Sequence, residues 1–172
     1  MFRKSLLPAL SVWALAMTPA AFAQAKVGII NTQRAILETA EIKKASNDMQ
    51  AKFKPRQDQL EKLQREIGDL QTQLESSAGK LSAAGQADLE AQGQRKQREA
   101  QRISEELQAD VERERNEILQ RAQTRMIEVL KKLADEKGLD ILVDTQAVPF
   151  FKVALEVTDE AIKAYDKAYP VK

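Results

Sequence analysis

The 172-residue chain has no cysteine and no histidine. The first absence excludes disulfides, thiol nucleophiles, cysteine-held metals and a lipid-bearing cysteine. The second removes the imidazole that serves most often as general base or metal ligand. Aromatic residues make up only 5% of the sequence, too few to build a large globular core. Its six glycines are scattered and form no phosphate-cradling loop.

The N-terminus carries Arg3 and Lys4, then a mostly apolar run over residues 6–17, then Ala21-Phe22-Ala23. That order reads as a secretory signal peptide over residues 1–23, cleaved after Ala23. A membrane anchor needs about 20 consecutive apolar residues, and this run is shorter and interrupted by Pro8 and Ser11. With no cysteine at the cleavage site, the exported chain is expected to be soluble in the periplasm. Residues 24–172 keep 25 basic and 26 acidic residues, a net charge of −1. No global field draws such a chain to nucleic acid or anionic lipid. Its aromatics, Phe53, Phe150, Phe151, Tyr165 and Tyr169, are too few and too far from basic residues to stack on nucleotide bases.

What remains is rich in Ala, Glu, Lys, Leu, Gln and Arg, the composition of long helices. Lys26-Val27-Gly28-Ile29-Ile30-Asn31 reads as a strand running into a helix start. A first helix is expected from about residue 33 to 76, roughly 65 Å at 1.5 Å per residue. Within it Leu60, Leu63, Ile67, Leu70 and Leu74 alternate at spacings of three and four, the seam of a coiled coil. Small residues and two glycines, Gly79 and Gly85, predict a reversal over residues 76–86. The returning helix runs to Lys137 and stops at Gly138. Along it Leu107, Ile118 and Val129 repeat every eleven residues, as do Val111, Ala122 and Leu133, a period that favours a nearly straight seam. A second strand is expected over residues 139–144, and a third from Val148-Pro149-Phe150-Phe151 and residues 154–157. Thr158, followed by Asp159 and Glu160, reads as the N-cap of a last helix that ends near Tyr169.

The fold class is therefore α+β and predominantly helical: a hairpin over residues 33–137 projects from a small β-rich body formed by residues 24–32 and 138–172. Two or three strands are marginal alone in water, so the body is expected to self-associate through Val27, Ile29, Ile30, Ile141, Leu142 and Val143.

Three segments in this order resemble the Skp/OmpH-like periplasmic chaperones along nearly the whole chain. They are the opening strand 26–31, Leu142-Val143-Asp144-Thr145-Gln146-Ala147-Val148 after the hairpin, and Glu156-Val157-Thr158-Asp159-Glu160-Ala161-Ile162 at the last helix. The resemblance implies a homotrimer whose three helical arms enclose a cavity and hold unfolded outer-membrane β-barrel proteins without ATP. Better-known members are strongly basic, whereas this chain is near neutral, so no lipopolysaccharide or membrane contact is carried over. A structural or adaptor hairpin of the cell envelope is the competing reading.

No enzyme and no cofactor are expected. Asp140 and Asp144 flank one strand, but acid–base work needs positioned, perturbed groups, and strand-end solvation or an inter-strand hydrogen bond is the simpler role. Under a turn at Lys80–Leu81, Leu70 and Leu74 would face Ala91 and Ala87, and Leu63 and Ile67 would face Arg98 and Gln94. A seam so incompletely covered could hold clients through Leu63, Ile67, Leu70 and Leu74. The basic residues Lys80, Arg95, Lys96, Arg98 and Arg102 are further candidates, although interleaved glutamates suit a solvated face equally well. Gly68 and Gly93 fall at one level of this hairpin, with Pro55 nearer the body, and the three are candidate hinges.

Overall fold

The computed structural model describes residues 24–77 and 79–171; the leader expected over 1–23 lies outside them. In chain order the elements are β1 (Val27–Ile30), α1 (Thr32–Leu37), α2 (Ala40–Ser76), α3 (Ala83–Lys137), β2 (Ile141–Asp144) and α4 (Thr158–Ala168). Helices α2 and α3 form the antiparallel arm. At 1.5 Å per residue they extend about 55 Å and 82 Å. α3 is the longer because its last turns continue into the body. There Ala122, Met126, Val129 and Leu133 join Ile30, Ala35, Ile36, Val157, Ala161 and Tyr165 in the main core.

β1 and β2 pair in parallel, Val27 opposite Ile141 and Ile30 opposite Asp144. Parallel neighbours require a crossover of a dozen residues or more, and here the whole arm is that crossover. The third strand expected after β2 is not formed. Residues Thr145–Ala147 and Val153–Leu155 are 3-10 turns, and a single bridge joins Ile29 to Glu156. Pro149 has no N–H to give a ladder, and Val157 N–H donates to the Ile29 carbonyl at 2.8 Å.

The expected first helix is two. The chain leaves α1 at Glu38, and Thr39 is extended (φ −62, ψ 149) and fully buried. Its hydroxyl donates to the Ile36 carbonyl at 2.9 Å and accepts from Ile42 N–H at 3.3 Å, so one side chain serves both helix ends. α2 then passes through Pro55 without interruption. Ser82 caps α3, and Gly138 closes it in the left-handed region (φ 61, ψ 40). Thr158 is not the N-cap expected of it. It is the first residue of α4, and its buried hydroxyl accepts from Asn31 N–H at 2.9 Å. It thereby joins the two ends of the body.

Candidate binding surface and its root

Along the arm the expected seam is only partly covered. Leu63 is buried with Ala100 and Ile103, with Leu60 and Ile67 packed against them. Further out, Leu70 and Leu74 are half-buried and Leu81 is exposed. Leu63 thus meets Ala100, not Arg98, and the register is displaced by two residues from the one expected. The reason is the apolar match between Leu63 and the Ala100–Ile103 pair, reinforced by Lys96 on Glu66 at 2.5 Å. Gly68 and Gly93 consequently stand about half a turn apart in level. A methyl group added at either would meet nothing within 4 Å.

The basic cluster divides. Lys96 pairs with Glu66 and Arg102 with Glu106, at 2.5 and 2.8 Å. Lys80, Arg95 and Arg98 are exposed and enter no ion pair among the described residues. In the body, Ile29 and Ile30 are buried within the single chain, 3% and 2% exposed. They serve its own core and are not available to a partner. Val27, Leu142 and Val143 are half-buried, whereas Ile141 is 52% exposed, Phe150 83% and Val153 81%. Asp140 accepts from Lys26 N–H at 2.7 Å, and Asp144 from Thr32 and Gln146 N–H at 3.1 and 2.8 Å. The Thr32 side chain, then the Gln146 and Thr32 N–H groups, hold Asp144 below the usual carboxylate range against the opposing effect of burial. Both aspartates are strand-end caps.

Periodicity gave no sign of the cluster at the arm's root. Glu41, in the first turn of α2, accepts from Arg125 at 2.8 and 2.9 Å, from Arg121 at 3.0 Å and from the Tyr165 hydroxyl at 2.5 Å. Burial pushes this carboxylate up, but the bonds from Tyr165, Arg125 and Arg121 together bring it below its usual range. Arg125 also lies over the Tyr169 ring, 4.7 Å from its centre, while the Tyr169 hydroxyl donates to Glu128 at 2.7 Å. Asp166 completes the root by accepting Ala40 N–H at 2.9 Å. The one local signal was Thr39-Ala40-Glu41, a capping residue with an acid in the first turn.

A half-covered arm on a strand-bearing body is a specific arrangement, and the comparison with family models is equally specific: the description Outer membrane protein (OmpH-like) matches residues 26–165. The chain belongs to the OmpH-like family. Among its OmpH-like relatives, a Skp-like protein of Pseudomonas aeruginosa is 27% identical over 150 residues, covering 87% of this chain and 89% of the relative. Chaperone protein Skp of Salmonella typhimurium is 28% identical over 137 residues, covering 79% and 83%. The crystal structure of a candidate outer membrane chaperone (OmpH-like) from Caulobacter crescentus aligns with a TM-score of 0.72 at 18% identity, covering 99% of this chain and 93% of that one. It shares the OmpH-like fold.

Proposed function

We propose that this OmpH-like chain is a periplasmic holding chaperone that binds unfolded outer-membrane β-barrel proteins without ATP. The observation that carries the reading is the outer seam, where Leu70 and Leu74 stay half-buried and Leu81 is exposed beyond the packed Leu63 cluster. A surface of this kind offers many weak apolar contacts and no deep pocket, which suits an unfolded chain of no fixed shape. Leu63 is packed inside and supports the seam, leaving Ile67, Leu70 and Leu74 as the apolar contacts. Lys80, Arg95 and Arg98, which enter no ion pair among the described residues, are the basic charges of the same arm. The reading requires neither catalysis nor a cofactor.

Self-association into a trimer belongs to the same proposal. Ile141, Phe150 and Val153 are exposed apolar side chains on the body, and β2 is paired on one side only among the described residues. Three arms would then act together, each contact raising the effective concentration for the next. The test is light scattering of a barrel protein diluted from denaturant, with and without the chain. Suppression independent of ATP supports the proposal; unchanged aggregation favours an envelope adaptor that recognises a folded partner.

A further inference from the structure

The break between α1 and α2 leaves a second apolar surface, at the opposite end of the arm from the outer seam. Leu37, the last residue of α1, is 47% exposed. It joins half-buried Ile42 and Met49 of α2 and Ile118 and Leu119 of α3 around a groove of about 340 Å³. That is the lower end of the range for sites that take small ligands. The floor is firm, because Ile42 and Leu119 also pack against the main core of the body.

The groove carries charge of one sign. Arg115 lines it from α3, and Lys43 lines its continuation from α2, beside Leu37 and Ile42. Both are exposed, and neither enters an ion pair among the described residues. Nearby acids are engaged elsewhere, Asp48 with Lys44 at 2.8 Å and Glu114 with Lys52. No carboxylate lines the groove or its continuation among the described residues, whereas Ser46 and Asn47 place a hydroxyl and an amide at the same rim.

An apolar floor with two uncommitted cations complements an apolar side chain that has a carboxylate close beside it. In an extended polypeptide, successive side chains point to opposite faces. An internal Asp or Glu next to an apolar residue therefore turns its carboxylate away from the groove. The last residue of a chain differs, since its side chain and its carboxylate share one Cα. Ser46 and Asn47 suit the peptide backbone leading up to that residue and would find no partner on an acyl chain. We propose that this groove binds the C-terminal residue of an unfolded polypeptide, its apolar side chain against Leu37, Ile42 and Met49 and its carboxylate with Arg115 and Lys43. The inference rests on the reading of the chain as a holder of unfolded polypeptides. It adds a contact made once per client, at its end, to the many unspecific contacts of the seam.

Calorimetry tests it with a short Gly-Ser peptide ending in phenylalanine, made once as the free acid and once as the amide. The acid should bind about fivefold more tightly than the amide, the scale of two partly exposed ion pairs. Lys43→Gln with Arg115→Gln should bring the acid down to the affinity of the amide and leave the amide unchanged, while Leu37→Ser should weaken both. Equal binding of acid and amide, or binding of neither, overturns the proposal. Decanoate that binds where the peptide does not would assign the groove to an acyl chain. A Leu37→Ser variant with altered sedimentation would assign it to a second copy of the chain. Either result also overturns it. A denatured barrel with its last residue removed separates the groove from the holding function: it should still be kept from aggregating, with capture weakened severalfold. Capture that is equal with and without that residue overturns the groove's role and leaves the holding function standing. Acid-specific peptide binding with no capture of either barrel supports the groove and overturns the holding reading alone.

Discussion

Tyr165 donates its hydroxyl to the Glu41 carboxylate at 2.5 Å, across 124 residues of sequence. The bond ties the last helix of the chain to the first turn of the ascending helix. Its surroundings make it strong: Tyr165 is fully buried, and the acceptor is charged and shared with two arginines.

Tyr165→Phe keeps the packed ring and removes only the hydroxyl. It should lower unfolding stability by about 1.5–3 kcal/mol, the range for hydrogen bonds to charged groups. Glu41→Ala should cost more, because two arginines and a phenol lose their acceptor together. The arginines are partly exposed, so the loss should stay below the ~3–5 kcal/mol of a fully buried pair. Urea denaturation followed by circular dichroism measures both; equal stability of the two variants and the parent would show the cluster to be incidental.

The same cluster sets a pH window. Glu41 lies below its usual range when folded. Its contribution is therefore present above about pH 4.3 and is lost only as pH falls through the depressed value. Burial, and then Glu41 itself, push Tyr165 far above the ordinary phenol range. That contribution is complete below about pH 10 and is lost as pH rises beyond it. The chain has only two tyrosines, 165 and 169, so tyrosinate absorbance reports this site alone. Both should resist ionisation at about pH 10, and Glu41→Gln should bring Tyr165 part of the way back. Two ordinary phenol titrations in the parent would contradict the geometry.

Stability and client binding should separate along the seam. Leu63→Ala removes a buried side chain and should cost about 2–3 kcal/mol, at the low end for leucine truncation because its neighbourhood is small. Leu70→Ala with Leu74→Ala touches half-buried positions and should change stability much less while weakening capture of a denatured barrel several-fold. Thermal melts and a capture assay on the same samples decide it. Loss of capture that merely follows loss of stability would argue against a binding seam.

Much of this architecture follows from patterns that a sequence displays openly. The three- and four-residue spacing of the leucines specifies the helical seam, and the glycines near residue 80 and at 138 mark its reversal and end. Register was less legible, because it depends on how Leu63 fits Ala100 and Ile103, and alanine advertises no preferred partner. The third strand was over-read from a run of apolar residues that Pro149 prevents from pairing fully. The helix break at Thr39 was missed because threonine is unexceptional inside a helix until burial recruits its hydroxyl to both flanking ends. The Glu41 cluster gathers residues from three helices, and no local spacing can reveal such a site.

Ile141 offers a test of assembly that leaves the protomer intact. It is 52% exposed in the single chain, so Ile141→Asp should leave helix content and melting of the isolated protomer nearly unchanged. A charge at a buried subunit contact is costly, and the variant should sediment as a monomer while the parent is expected to sediment as the proposed trimer. A parent that is monomeric at every concentration would remove the trimer and the cavity together.

The most direct measurement of the central claim uses the absence of tryptophan from residue 24 onward. The only tryptophan is Trp13, within the expected leader, so the chain from Gln24 onward is silent in tryptophan emission. A tryptophan-containing barrel diluted from denaturant then reports its own environment. The account predicts a saturable change in its emission at about one trimer per barrel, with aggregation suppressed equally with and without ATP, and no change for the same barrel already folded. Unaltered emission and aggregation of the denatured barrel in the presence of excess chain would contradict the holding function.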